Sequence, residues 1–349
     1  MASIGTTMMF GREANSLGTL RIKSTAFSLS PSGGVLLLQA NLRATSMKVS
    51  QTTLNVTGEK QLKILDRREK EFDLIADTFV LGKVEKDSRI FSENYTIRSY
   101  DMGPNHAATI QTLMNLLQET VLGHFRSMGI MKDGLGSTPE MSAKNLIWIL
   151  SKTHVVVDRY PTWNDVVRVE TWFIPSGKNF LGIEWIIYDS KTEQILTRAS
   201  SKLMMMNKET RKLSEWPEGV RREFEPQFID SLLLDKDNSR LPKLDHSKME
   251  FVRNGLTPRW NDLDINQHVN NVKYVGMMLE SVPISFLESH EIYDITMEYR
   301  RECAMDDVLQ SLTSFCHETT DQCFHLLRAE CGAVVVRGKT KWRPKHAKN

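Results

Sequence analysis

Residues 104–129 read PNHAATIQTLMNLLQETVLGHFRSMG, with Ile110, Leu113, Met114, Leu117, Val121 and Leu122 apolar. Spacings of three and four gather those six side chains on one face, so the stretch predicts an amphipathic helix. Such a helix needs a cover for its apolar side. The flanking sequence supplies one. FSENYTIRSYDMG (91–103) is strand-like and leads into the helix. NLIWILSKTHVVVDRY (145–160), DVVRVETWFI (165–174), FLGIEWIIYD (180–189) and ILTRASSKLMMMN (195–207) follow as strands, with SKTEQ (190–194) as a hairpin turn.

A second unit opens near Met249 and repeats this order. EFVRNGLTPRWNDLD (250–264) leads into INQHVNNVKYVGMMLES (265–281), read as a helix with Val269, Val272, Val275, Met278 and Leu279 apolar. ITMEYRREC, DVLQSLTSFC, CFHLLRAE and AVVVRGKTKW then read as strands. Asp101 and Asp264 both fall at the strand-to-helix turn, followed by Asn105-His106 in one unit and by Asn266 and His268 in the other. Arg159 stands before Asp165-Val166 as Arg301 stands before Asp307-Val308, and Arg198 and Lys202 are spaced like Arg337 and Lys341. Matches in one order indicate an internal duplication. The expected fold is α+β: a tandem hotdog, two helix-wrapped antiparallel sheets in one chain, paired edge to edge as a pseudo-dimer. The expected units are 89–216 and 249–346, with a linker over 217–248 and a charge-dense peripheral segment over 51–88.

The remaining bulk properties narrow the class. The 349 residues carry a net charge of +2, so no general electrostatic attraction to nucleic acid or membrane is implied. Four cysteines, Cys303, Cys316, Cys323 and Cys331, form no CxxC pair and no zinc-ligand spacing, so neither a metal nor a disulfide framework is expected. The first 50 residues hold one acid, Glu13, against five bases amid recurrent Ser and Thr, the composition of an organellar transit peptide. The basic C-terminal run RGKTKWRPKHAK reads as a solvated tail or as a contact for an acidic partner.

The chemistry concentrates in RWNDLDINQHVNNVKY (259–274) and EYRRECAMDD (298–307). Asp264, Asn266 and His268 are spaced by two, which in an extended or tight-turn segment places them on one side. A helix N-terminus behind them adds donors and positive potential for a developing oxyanion. Asp264 or Asn266 would serve equally as a helix cap. Glu302 and Cys303 match Tyr160 and Pro161 of the first unit, so the second unit is the chemically richer one. Two mechanisms stay open: water activated by Glu302 or Asp264, or a Cys303–His268 thiolate pair. DGLGSTPEM (133–141) reads as a loop covering an apolar channel.

LTPRWNDLDINQHVNNVKYVG, ITMEYRRECAMDDVLQSLTS, GSTPEM, NLIWIL, RASS, MNKETRKLS and LPKLDHSK together resemble plant acyl-[acyl carrier protein] thioesterases, the B class above all, over about 87–346. The resemblance implies a plastid enzyme that hydrolyses acyl-carrier thioesters of saturated chains and so ends fatty acid synthesis. It implies acyl carrier protein as partner, an acyl chain as ligand, no cofactor, and compatibility with a homodimer. By motif position its catalytic groups fall on Asp264, Asn266, His268, Glu302 and Cys303, with Asn266 and His268 assigned to carbonyl binding and proton handling. The chain departs from the family pattern at FLGIEW (180–185), which lacks the usual arginine, at Met277 for a usual tryptophan, and at Lys202 on an otherwise apolar strand.

Overall fold

In a computed structural model, which describes residues 82–84, 89–129, 131, 136–231, 233–234, 241–316 and 321–345, the amphipathic stretch is the helix α1 (Ile110–Ser127). The transit peptide expected over 1–50 lies outside the described residues. Thr109 starts α1 by accepting the Thr112 N–H at 3.0 Å, and the helix stops just before Gly129, whose φ of 68° suits a residue without a Cβ. Leu113, Met114, Leu117, Val121 and Phe125 are buried along one face.

The strands are β1 (Lys83–Val84), β2 (Phe91–Thr96), β3 (Leu146–Val157), β4 (Val166–Pro175), β5 (Leu181–Asp189), β6 (Ile195–Asn207), β7 (Leu213–Ser214), β8 (Phe251–Leu256), β9 (His290–Tyr299), β10 (Leu309–Phe315), β11 (Gln322–Ala329) and β12 (Val334–Pro344). The first half orders its sheet β2-β4-β5-β6-β3 and the second β8-β10-β11-β12-β9, the same path in both. β3 and β9 pair antiparallel and fuse the two into one continuous sheet. Thr153 faces Met297 as Val155 faces Ile295, so the His154–Thr296 pair lies on a local two-fold axis. This is the tandem hotdog pseudo-dimer.

Turn by turn the duplication holds, but in a register two residues from the one read in the sequence. Arg98 donates its N–H to the Asp101 carboxylate as Arg259 does to Asp262, at 2.9 and 2.8 Å. His106 and Gln267 take φ of 59° and 62° at the same place in each turn. The Gly103 N–H donates to the Ala107 carbonyl as the Asp264 N–H does to His268. Asp101 is thus the counterpart of Asp262, and Asp264 and His268 stand where the first half has Gly103 and Ala107. The hydrogen bonds Ala108 N–H to Pro161 and Val269 N–H to Cys303 align Tyr160-Pro161 with Glu302-Cys303, as read.

The second helix is also shorter than its periodicity suggests. Asn270 accepts the Val272 N–H on its side chain at 2.9 Å, an Asx turn that holds the chain out of the helix, and α4 runs only from Lys273 to Leu279. Two further short helices, α2 (Pro139–Ala143) and α3 (Glu218–Phe224), pack on the first half, and α5 (Ile284–Ser289) on the second. Phe224 is fully buried against Phe125, Trp148, Phe173 and Trp216.

The described ends of the connection between halves are held on the outer sheet face. Glu184 of β5 is 1% exposed and accepts the Leu233 N–H at 3.0 Å; Glu298 of β9 accepts the Leu241 N–H at 2.8 Å. Lys202 alternates with Arg198 and Ser200 on that outer side of β6 and is half-buried, away from the core.

Candidate active site

A cavity of about 270 Å³ lies between α1 and the inner sheet face of the first half. Leu117, Val121, Leu122 and Phe125 form the helix wall, and Ile183, Trp185 and Leu203 part of the sheet wall. A β-bulge after Leu150 turns both Leu150 and Thr153 toward it, where a regular strand would send them to opposite faces. Ser137, from the loop expected to cover a channel, lines it as well, and Gly136 accepts the Trp148 indole N–H at 3.2 Å.

A second cavity, of about 500 Å³, adjoins the first and shares with it Ile147, Trp148, Leu150, Asp264, Asn266 and Asn271. Both cavities mix polar and apolar walls, but most of the charged side chains line this vestibule. His268, Glu302 and three arginines, Arg211, Arg300 and Arg301, line it. The chemistry of the second half therefore opens onto the apolar groove of the first.

The loop 262–270 is built by its own backbone. Asp264 accepts the Asn266 and His268 N–H groups on Oδ1 at 2.8 and 3.3 Å, and Gln267 takes a positive φ to close the turn. The Val269 N–H donates to the Cys303 carbonyl at 3.0 Å and clamps the loop beside Glu302. His268 Nε2 then lies 3.9 Å from Glu302 Oε2, both side chains about a third exposed. Because α4 begins only at Lys273, the Asn266 and His268 N–H groups are taken up by Asp264, and the helix N-terminus expected behind the site is not there.

Four of the five residues read from the sequence meet in the vestibule: Asp264, Asn266, His268 and Glu302. Cys303 lines neither cavity. It is 1% exposed, its backbone N–H donates to the Tyr274 hydroxyl at 3.0 Å, and burial pushes its thiol up to about 11. Arg211 was not among the sequence candidates. It arrives from the β6–β7 turn and pairs with Glu302, a contact made across the fold that no local spacing announces. Gln118 of α1, whose side chain accepts from the Asn270 amide at 3.3 Å, joins the halves at the same mouth.

Comparison with known proteins bears on the same two halves. The family model for the acyl-ACP thioesterase N-terminal domain matches residues 88–224, and that for the C-terminal domain matches 245–344. The chain is 52% identical over 307 residues to a chloroplastic palmitoyl-acyl carrier protein thioesterase of Gossypium hirsutum, covering 85% of this chain and 74% of that protein. It is 50% identical to a chloroplastic dodecanoyl-[acyl-carrier-protein] hydrolase of Cinnamomum camphora, covering 73% and 68%. The solved 12:0-ACP thioesterase from Umbellularia californica superposes with a TM-score of 0.70 at 47% identity, covering 74% of this chain and 95% of that one.

Proposed function

From the premise that this chain belongs to the plant acyl-acyl carrier protein thioesterase family, B class, we infer that it hydrolyses acyl-carrier thioesters to free fatty acid in the plastid, ending fatty acid synthesis. One observation carries the assignment of its site: Asp264, Asn266, His268 and Glu302 converge on the mouth of an apolar groove built by the other half. The acyl chain lies along α1, and the thioester carbonyl sits where the two cavities meet. Relatives named for palmitoyl and dodecanoyl substrates favour saturated chains.

In this reading the Asn266 amide polarises the thioester carbonyl. His268, oriented by Glu302, takes a proton from water while the water oxygen bonds to the carbonyl carbon. The tetrahedral intermediate collapses with loss of the C–S bond, and the imidazolium returns the proton to the leaving sulfur. Asp264 holds Asn266 and His268 in register through their N–H groups. Cys303 packs beneath the loop and takes no part in the covalent chemistry. Both halves of the site come from one chain, so a homodimer is not required for turnover.

Single turnover of palmitoyl-, lauroyl- and oleoyl-carrier thioesters tests this. His268→Ala and Glu302→Ala should each lose about 10²-fold or more in rate, the usual worth of acid–base groups, while Cys303→Ala keeps most of it. A trapped acyl-enzyme, together with loss on Cys303→Ala, would replace the water route by a thiolate one.

A further inference from the structure

We propose that Arg211, carried by the first half, is a positioning residue for the hydrolytic pair of the second. The inference rests on the hydrolytic reading of the site. The turn that carries it is tightly built. Asn207 Oδ1 accepts the N–H groups of Glu209 and Thr210 at 3.1 and 2.8 Å, the Arg211 N–H donates to the Asn207 carbonyl at 3.0 Å, and Arg211 itself takes a φ of 54°. β7 then pairs back onto β6 at Met206 and Leu213. The Asn145 amide donates to Glu209 at 3.2 Å, which ties the turn to the start of β3. From this base the Arg211 guanidinium reaches the Glu302 carboxylate through Nη2, at the same Oε2 that lies 3.9 Å from His268 Nε2.

One carboxylate oxygen thus lies between the Arg211 guanidinium and the imidazole. The other vestibule arginines differ. Arg300 is taken up by Glu298 at 2.5 Å, and Arg301 neighbours Glu302 in the chain without an ion pair to it among those described. The charged groups facing His268 are Asp264 on its own loop, Arg211 from the β6–β7 turn, and Arg300, Arg301, Glu302 and Asp307 from the segment after β9. Tyr274 and Tyr299 lie beneath, kept neutral by burial. Arg211 supplies the geometry that keeps Glu302 on His268 and the positive charge that balances it. Without Arg211 the Glu302 carboxylate loses the partner that holds it beside His268.

The test compares wild type with Arg211→Gln, Arg211→Lys, Glu302→Gln and the Arg211→Gln/Glu302→Gln double variant. kcat and KM are measured separately on palmitoyl-carrier thioester, and each variant is unfolded in urea. We expect Arg211→Gln to lower kcat about 10²-fold, the cost of a misplaced catalytic group, with KM within about twofold. Arg211→Lys should recover part of kcat, and the double variant should be no slower than Glu302→Gln alone. A raised KM with kcat kept would make Arg211 a carrier contact and overturn the proposal, as would additive losses. If Arg211→Gln does not fold, Arg211→Lys against Glu302→Gln carries the same comparison. A wild type that turns over no thioester, while urea unfolding still shows Arg211 and Glu302 coupled in the same double-variant cycle, would sink the hydrolytic reading and leave the pairing standing.

Discussion

Burial pushes the Cys303 thiol up to about 11, so it offers almost no thiolate near neutral pH. Iodoacetamide should therefore label exposed Cys331 quickly in the folded protein and Cys303 only on unfolding, read by peptide mass spectrometry. Two histidines make the acid side of stability legible. His124, stacked between Phe91 and Phe173, is lowered to about 4 by burial, and His325, bonded to Thr313 and Thr340, to about 3. Both fold neutral, and the unfolded chain binds their protons below about 6.5. Their contribution is complete above that pH and is lost as pH falls from 6.5 toward 3 or 4. Nδ1 of His124 has no hydrogen-bond partner among the described residues. His124→Phe should then flatten the fall in denaturation midpoint between pH 6 and 4; an unchanged slope would remove His124 from the account.

At the scale of elements, the aromatic cluster around α3 closes the far end of the first half. Phe224→Ala removes a fully buried ring touching four others and should cost about 3–5 kcal/mol of unfolding free energy in a urea titration. Phe125 belongs both to that cluster and to the cavity proposed for the acyl chain. Phe125→Leu should move preference toward longer chains, by roughly fourfold in kcat/KM for each methylene newly covered, since one buried CH₂ is worth about 0.8 kcal/mol. Competition between myristoyl- and stearoyl-carrier thioesters would show it, and a preference unmoved by the change would place the chain terminus elsewhere. The elements themselves were largely legible. α1 and the strands announced themselves by period, and the edge-to-edge pairing followed from the repeat. What misled was polar detail. Asn270 in an Asx turn looks, to a periodicity, like one more helical position, so the second helix came out too long. Asp101 and Asp264 look alike by letter, whereas the hydrogen bonds align Asp101 with Asp262. Asp264, Asn266 and His268 were legible because they sit close in sequence, and Glu302 with Cys303 because their block resembles the family's. Arg211 was not, because its partner lies in the other half.

For the molecule as a whole, the two halves meet through β3 and β9 and through the pinned connection over the outer face. A chain cut after Ser231 and expressed as two pieces should still reassemble, because the β3–β9 seam and the Asn270–Gln118 bond remain. Co-purification with recovered hydrolysis would demonstrate it, and two pieces that stay apart would assign the cohesion to the intact connection. Glu298→Leu should weaken that hold by leaving the Leu241 N–H unpaired at a cost of about 1–3 kcal/mol.

The contents of the two halves differ. The first wraps its helix around an apolar groove. The second fills the matching space with Ser281, Ser311, Thr313, His325 and Thr340, bonded to one another beside Met278. In an assembly of two identical copies every substitution is made twice, so a groove cannot be widened without hollowing its twin, and a catalytic loop cannot be sharpened without duplicating its charges. Joining the copies in one chain lifts that restriction. Each inherited position became two independent letters, and one copy was free to become a container while the other became a tool.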